Sequence, residues 1–212
     1  MEQGCLITGK STDMLAEVVR VAAERSLDPL VARSGHAAFS EDISASTISW
    51  NRRSALSARS VVLHAKNTLS SFADAVVVYS VVKESVPFHE SSIVSIENRT
   101  DAEIKGYLFL LREILAHFHT QRHGRLLLAV HDQAQGLRSP LESTSLGAFE
   151  SFAQSIAEFY QNEPVSIRLC ASASEDTTGY AEFILNTLQQ DPPKKSKIEW
   201  ARFPQKRLFR SK

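Results

Sequence analysis

The chain has 212 residues in which 24 Lys and Arg balance 24 Asp and Glu, giving a formal net charge of +0 with 43% hydrophobic and 23% charged residues. This composition excludes a uniformly basic nucleic-acid coat and a highly charged disordered chain, and the length suits one domain with ample mass for a core. No apolar run approaches the roughly 18 residues of a membrane-spanning helix, and the first residues lack a basic segment followed by a long apolar one, so neither a transmembrane segment nor a signal peptide is expected.

Cys5 to Thr8 reads as a strand, followed by a helix with Leu15, Val18, Val19 and Ala22 on one face and Asp13 or Ser11 as its expected N-cap. Pro29 to Arg33 is a second strand, a Ser/Gly-rich connection runs through Ser46, and Thr47 to Trp50 is a third strand. Ala58, Val61, Val62, Ala65, Leu69 and Phe72 trace a helix. Ala75 to Val82 is apolar on both faces, as a central parallel strand covered by helices on both sides must be. A long helix is expected over Asp101 to Gln121, where Ile104, Tyr107, Leu108, Leu111, Leu115 and Phe118 form an i, i+3, i+4, i+7 series and Gly124 suits the stop. Leu126 to Val130 is the next strand, and Phe149, Phe152, Ala153, Ile156 and Tyr160 mark a helix. Val165 to Ala171 is a strand, and Tyr180, Phe183, Ile184 and Leu188 lie on the last helix. Strand–helix alternation without a repeat predicts one α/β domain over 1–190 with a mainly parallel sheet, then a last strand and basic tail over 191–212.

Two motif matches fail on local structure. Gly4 to Ser11 fits G-x-x-x-x-G-K-S, but a phosphate-binding loop follows a strand, and here the intervening residues are themselves the strand. Tyr79 and Lys83 fit Y-x-x-x-K, which needs one helix face, yet Tyr79 falls at the end of a strand.

In order along the chain, several segments resemble the short-chain dehydrogenase/reductase family. Leu6-Ile-Thr8-Gly9-Lys-Ser-Thr-Asp13-Met-Leu15 echoes its strand followed by T-G-x-x-x-G-x-G. Trp50-Asn51 is similar to the end of its third strand, and Phe72 to Val81 stands where it has D-x-L-V-N-N-A-G. Gln121 to Leu128 is similar to R-x-G-R-I-V, Glu142 to Phe149 to Y-S-A-S-K-A-A-L, and Val165 to Cys170 to I-R-V-N. The resemblance implies a three-layer α/β/α Rossmann-like sandwich, shortened relative to a usual member, with the helix between the second and third strands lost in Gly35–Ser46.

Carried over residue by residue, the functional positions are changed. The later glycines of the dinucleotide loop fall on Asp13 and Leu15, which would set a carboxylate beside the phosphates and crowd them. The catalytic Asn falls on Glu103, the Ser on His131, the Tyr on Glu142 and the Lys on Leu146. Hydride transfer in this family needs a phenol whose pKa a neighbouring Lys lowers, and a Glu/Leu pair does not supply that. The expectation is therefore a pseudoenzyme with no catalytic residues and no cofactor, kept as a dimeric binding, scaffolding or regulatory module. The alternative is a divergent NAD(P)-dependent oxidoreductase whose altered site uses Thr8, Gly9, Lys10 and Ser11 for phosphate, Arg33 as a second cation and Asn51 near the adenine. The 8 glycines, about half the average share of roughly 7%, fit the first reading better.

Other residues have two readings. His131 and Glu142, with Asp132 nearby, form either a new acid/base pair or a strand-end histidine and a first-turn acid that favours its helix dipole. His119 and His123 have metal-ligand spacing but no third ligand, so no metal is expected. Cys5 and Cys170 in apolar runs read as buried thiols of a reducing cytoplasm.

Phe109, Leu110 and Ile114 leave the long helix apolar around much of its circumference. The resemblance implies that this face, over 101–121, pairs across a two-fold axis together with the helix over 142–160; the alternative is cover from within the chain. Eight basic residues against two acidic ones make 191–212 +6 and leave 1–190 at −6. The segment 194–212 reads as a tail lying on the acidic body or meeting an anionic partner such as nucleic acid or a membrane surface.

Overall fold

Seven parallel strands form one sheet in the order β3-β2-β1-β4-β5-β6-β7. The computed structural model describes residues 3–34, 45–81, 86–133, 137–190 and 198–204. The strands are β1 (Gln3–Lys10), β2 (Leu27–Ser34), β3 (Ser46–Ser49), β4 (Phe72–Ser80), β5 (Arg125–His131), β6 (Ser166–Ser172) and β7 (Ala201–Phe203). Between them run α1 (Asp13–Glu24), α2 (Ala55–Thr68), α3 (Ile93–Thr100), α4 (Gly106–Gln121), α5 (Pro140–Phe159) and α6 (Thr177–Gln189).

The central strands are apolar on both faces because both faces are covered. Leu6, Val77 and Leu128 point into a core shared with α2, α4 and α5. Ile7, Val78 and Leu127 point the other way, into a core shared with α1 and α6. The expected three-layer α/β/α sandwich is therefore the observed fold.

Local chemistry corrects several expectations. The N-cap of α1 is Thr12, whose hydroxyl accepts a bond from Leu15 N, rather than Ser11 or Asp13. Ser11 instead donates to the Ser34 carbonyl at 3.0 Å, and Asp13 is already inside the first turn. The long helix begins eight residues before Asp101, because α3, a five-residue π turn (Asp101–Lys105) and α4 follow one another without a break. No residue of α3 is buried, although Ile93, Val94 and Ile96 are apolar.

Arg122, at φ 59, and not Gly124, takes the left-handed conformation that ends α4. Gly124 is needed for another reason: a β-carbon there would overlap the Phe118 ring. The extra apolar residues of α4 are mostly covered from within the chain. Leu110 and Ile114 are fully buried in one core with Ala58, Val61 and Ala65 of α2, while Phe109 packs at its margin. Their apolar character thus needs no second subunit to explain it.

The Gly35–Ser46 connection lies outside the described residues up to position 44. So does most of the +6 segment, at 191–197 and 205–212.

Candidate functional site

In an open parallel sheet, ligands bind outside the carboxyl ends of the strands, where neighbouring crossovers diverge. Here that point lies between β1 and β4. Alternation along β1 puts Thr8 and Lys10 on the side of α2 and α4 and Gly9 on the side of α1. A β-carbon at Gly9 would stand 2.5 Å from the Val78 carbonyl oxygen. Gly9 therefore serves the close approach of β1 to β4. Gly4 through Lys10 all belong to β1, as the sequence reading of the failed phosphate loop requires.

Above this junction the Thr12 and Ser80 hydroxyl oxygens lie 3.2 Å apart, tying the turn after β1 to the end of β4. On the other side stands a buried charge cluster. Lys10 Nζ lies 2.5 Å from Glu103 Oε1, and Arg52 Nη2 donates to the same oxygen at 2.8 Å. Arg52 Nη1 reaches Glu103 Oε2 and the Tyr107 hydroxyl, each at 3.4 Å. Its guanidinium sits over the Tyr107 ring, 5.6 Å from the centroid, and Trp50 meets that ring edge-on.

Arg52 is 8% and Glu103 5% exposed. Burial pushes the Glu103 carboxyl up, but the charges and hydrogen bonds of Arg52 and Lys10 outweigh it and hold the carboxyl below the usual range. Burial lowers the Lys10 ammonium, and Glu103 offsets only part of that. The Thr8 hydroxyl and Trp50 indole N–H are buried without a hydrogen-bond partner.

Of the other candidates, Arg33 is the last residue but one of β2 and its carbonyl accepts from Trp50 N at 2.8 Å. Asn51 is tied into the turn before α2, where its side-chain oxygen accepts from Arg53 N at 3.1 Å.

The pairing of His131 with Glu142 does not form. His131 follows Leu127 and Ala129 on the α1/α6 face, where its ring lies 5.9 Å from that of Tyr180 and Nε2 is 3.2 Å from the Ser174 carbonyl. Burial lowers its pKa, which keeps the ring neutral. Glu142 lies on α5, against the opposite face. Its carboxylate accepts from Ser139 N at 3.0 Å while Ser139 Oγ accepts from Glu142 N at 3.2 Å. This is a capping box with Pro140 at the first helical position. The pattern Ser139-Pro-Leu-Glu142 is visible in the sequence and would have placed the helix start. Leu146 is buried with Tyr79 and Phe149. Leu15 belongs to the α1 core and does not stand in the crevice, contrary to expectation.

His119 Nε2 lies 3.4 Å from Glu163 and His123 Nδ1 3.0 Å from the Gln121 carbonyl. Among the described residues no group of three or more His, Cys, Asp and Glu is placed to hold a metal. Cys5 and Cys170 are buried free thiols. No described helix is long and apolar enough to cross a membrane.

A second feature escaped the sequence reading. A cavity of about 490 Å³ opens at the ends of β5, β6 and β7, floored by Val130, Ala171 and Phe203 and edged by Asp132, Glu150 and Arg202. Burial pushes the Glu150 carboxyl up; Arg202 opposes this and Asp132 adds to it. Asp132 pairs with Arg138.

No family model and no curated protein matches the sequence. Solved structures do match the fold. A metagenomic short-chain oxidoreductase in complex with NADP superposes with a TM-score of 0.76 at 14% identity, over 94% of this chain and 96% of that one. A short-chain dehydrogenase from Rhodopseudomonas palustris gives 0.76 at 11% identity, over 94% and 98%. The fold is therefore that of the short-chain dehydrogenases/reductases. The chain spans nearly the whole of both.

Proposed function

We propose that this chain uses the short-chain dehydrogenase fold as a binding or regulatory module and does not carry out tyrosine-dependent hydride transfer. The observation that supports this is Glu142. At the position matched to the family's tyrosine stands a carboxylate turned back onto its own helix terminus, and one turn on, where the lysine would be, Leu146 is buried in the core. Transfer of hydride to a carbonyl needs a proton donor at the reacting oxygen. Glu142 caps a helix and His131 lies under α6, so neither is placed for that role.

The residues present do not fit a dinucleotide at the β1–β4 junction. Asp13 in the first turn of α1 puts a negative charge at the helix end that a pyrophosphate would use, and the Thr12–Ser80 contact ties that turn to the end of β4. NADP in the metagenomic oxidoreductase is thus a property we do not extend to this chain. Association through α4 and α5, a cytoplasmic location and an anionic partner for 194–212 belong to the same proposal.

The test is a panel of aldehydes, ketones and alcohols with NADH, NADPH, NAD and NADP, run beside thermal melts with each cofactor at millimolar concentration. No turnover and no cofactor-dependent shift are expected. A ligand at 100 times its dissociation constant stabilises by about 2.7 kcal/mol, so turnover together with such a shift overturns the reading.

A further inference from the structure

Strand ends and helix amino termini present hydrogen-bond donors at the switch point of an open sheet, which is why anions bind there. In this chain the donors on the α2/α4 side of the junction already hold an anion, and it is part of the chain. Lys10 arrives from the end of β1 and Arg52 from the loop after β3, and both meet the carboxylate of Glu103.

The backbone is built for that meeting. The π turn Asp101–Lys105 interrupts the helical run where Glu103 must turn inward, and Glu103 is the only buried residue in it. Such turns recur at functional sites. A β-carbon at Gly106 would overlap the backbone of Arg52, so only glycine lets the start of α4 dock against the loop that carries the guanidinium. Thr8, on the same side of β1 as Lys10, adds a buried hydroxyl with no partner. Two cations thus meet one carboxylate, with an unsatisfied hydroxyl on the same side of the strand.

We propose that Glu103 is a resident ligand: its carboxylate occupies an anion seat made by Lys10 and Arg52 and thereby closes the crevice to the phosphates of a diffusible ligand. The seat itself is of the phosphate-binding kind, with a guanidinium for planar two-point recognition and an ammonium as a point charge. Its chemistry is latent in the wild-type chain and appears when the internal charge is removed. The inference rests on the reading that the wild-type crevice takes no dinucleotide, and its test reads anion binding rather than turnover, so the two fail separately.

The experiment is calorimetric titration of the full chain with inorganic pyrophosphate, wild type against Glu103→Gln, with far-UV circular dichroism and a thermal melt to establish folding. The amide variant is expected to bind saturably, at least about tenfold more tightly than wild type, with affinity falling as salt rises and lost in Lys10→Met/Glu103→Gln. A folded Glu103→Gln that binds no better than wild type, or a wild type that binds as well, overturns the proposal.

If Glu103→Gln does not fold, the wild type carries the test through lysine acylation read by mass spectrometry. Lys10 should react at least about tenfold more slowly than the exposed Lys66, with pyrophosphate leaving its rate unchanged. Protection of Lys10 by pyrophosphate, or equal rates, overturns it.

Discussion

The Lys10 ammonium and the Glu103 carboxylate, 2.5 Å apart, join the last residue of β1 to the π turn that leads into α4. With Arg52 they form a buried group in which each charge depends on the others. Removing Glu103 from this group leaves two uncompensated cations in a low-dielectric site, at a cost of roughly 3–5 kcal/mol. Arg52→Met leaves Glu103 paired with Lys10 but removes two charged hydrogen bonds, and should lower the unfolding free energy read from urea denaturation by about 1.5–3 kcal/mol; Arg52→Lys, which loses the second guanidinium contact, should lower it by less. A loss under about 1 kcal/mol for Arg52→Met would mean that water already compensates the cluster.

The pH dependence of that group has a definite sign. The Glu103 carboxyl is held below its ordinary value in the fold, so its contribution is complete above the unfolded pKa, near 4.3, and is lost as pH falls through the folded value. Wild type should lose stability below pH 4 more steeply than Glu103→Gln. Denaturation midpoints measured from pH 7 to pH 3 check this.

His131 gives a second window. Burial lowers its pKa from the ordinary 6.5, so the unfolded chain takes up a proton before the folded chain does, and stability falls as pH drops below about 6.5. His131→Asn should flatten the stability curve between pH 7 and pH 5. An unchanged slope would show that His131 does not titrate there.

The capping box predicts stability without catalysis. Ser139→Ala and Glu142→Ala should each cost about 1 kcal/mol, and because each side chain bonds the other's backbone N–H, the double variant should cost less than the sum. A double-mutant cycle in urea measures the coupling, and strict additivity would contradict the reciprocal bonding.

Glu150 predicts the opposite sign of charge effect. Its carboxyl is pushed up by burial beside the cavity, so its ionised form opposes folding at neutral pH and the penalty disappears below the unfolded pKa. Glu150→Gln should raise the melting temperature at pH 7 and leave it unchanged at pH 3.5.

The architecture was legible because its signals are local. Ala75 to Val82 announces a strand covered on both sides, and the Tyr107–Phe118 stripe announces a helix facing it. The site was legible only in its parts. Glu103, Lys10 and His131 were singled out at their positions, but Arg52 meets Glu103 across 51 residues of sequence, and no spacing rule spans that. The parity of β5 puts His131 with Leu127 and Ala129, yet which helix covers that parity is decided by the crossovers. The two readings of His131 and Glu142 therefore separated only when the layers were known. α3 was missed although Ile93, Val94 and Ile96 give it an apolar side, because its eight residues bury nothing and so add nothing to the core stripe that marks α4.

The central claim is that the β1–β4 crevice of this fold has given up its dinucleotide, and equilibrium titration of the wild-type chain with NADPH and NADH by calorimetry at neutral pH tests it most directly. The account predicts no saturable binding across the roughly 1 μM–1 mM range in which enzymes meet their substrates. A dissociation constant inside that range, weakened by substitution of Thr12 or Lys10, would contradict it.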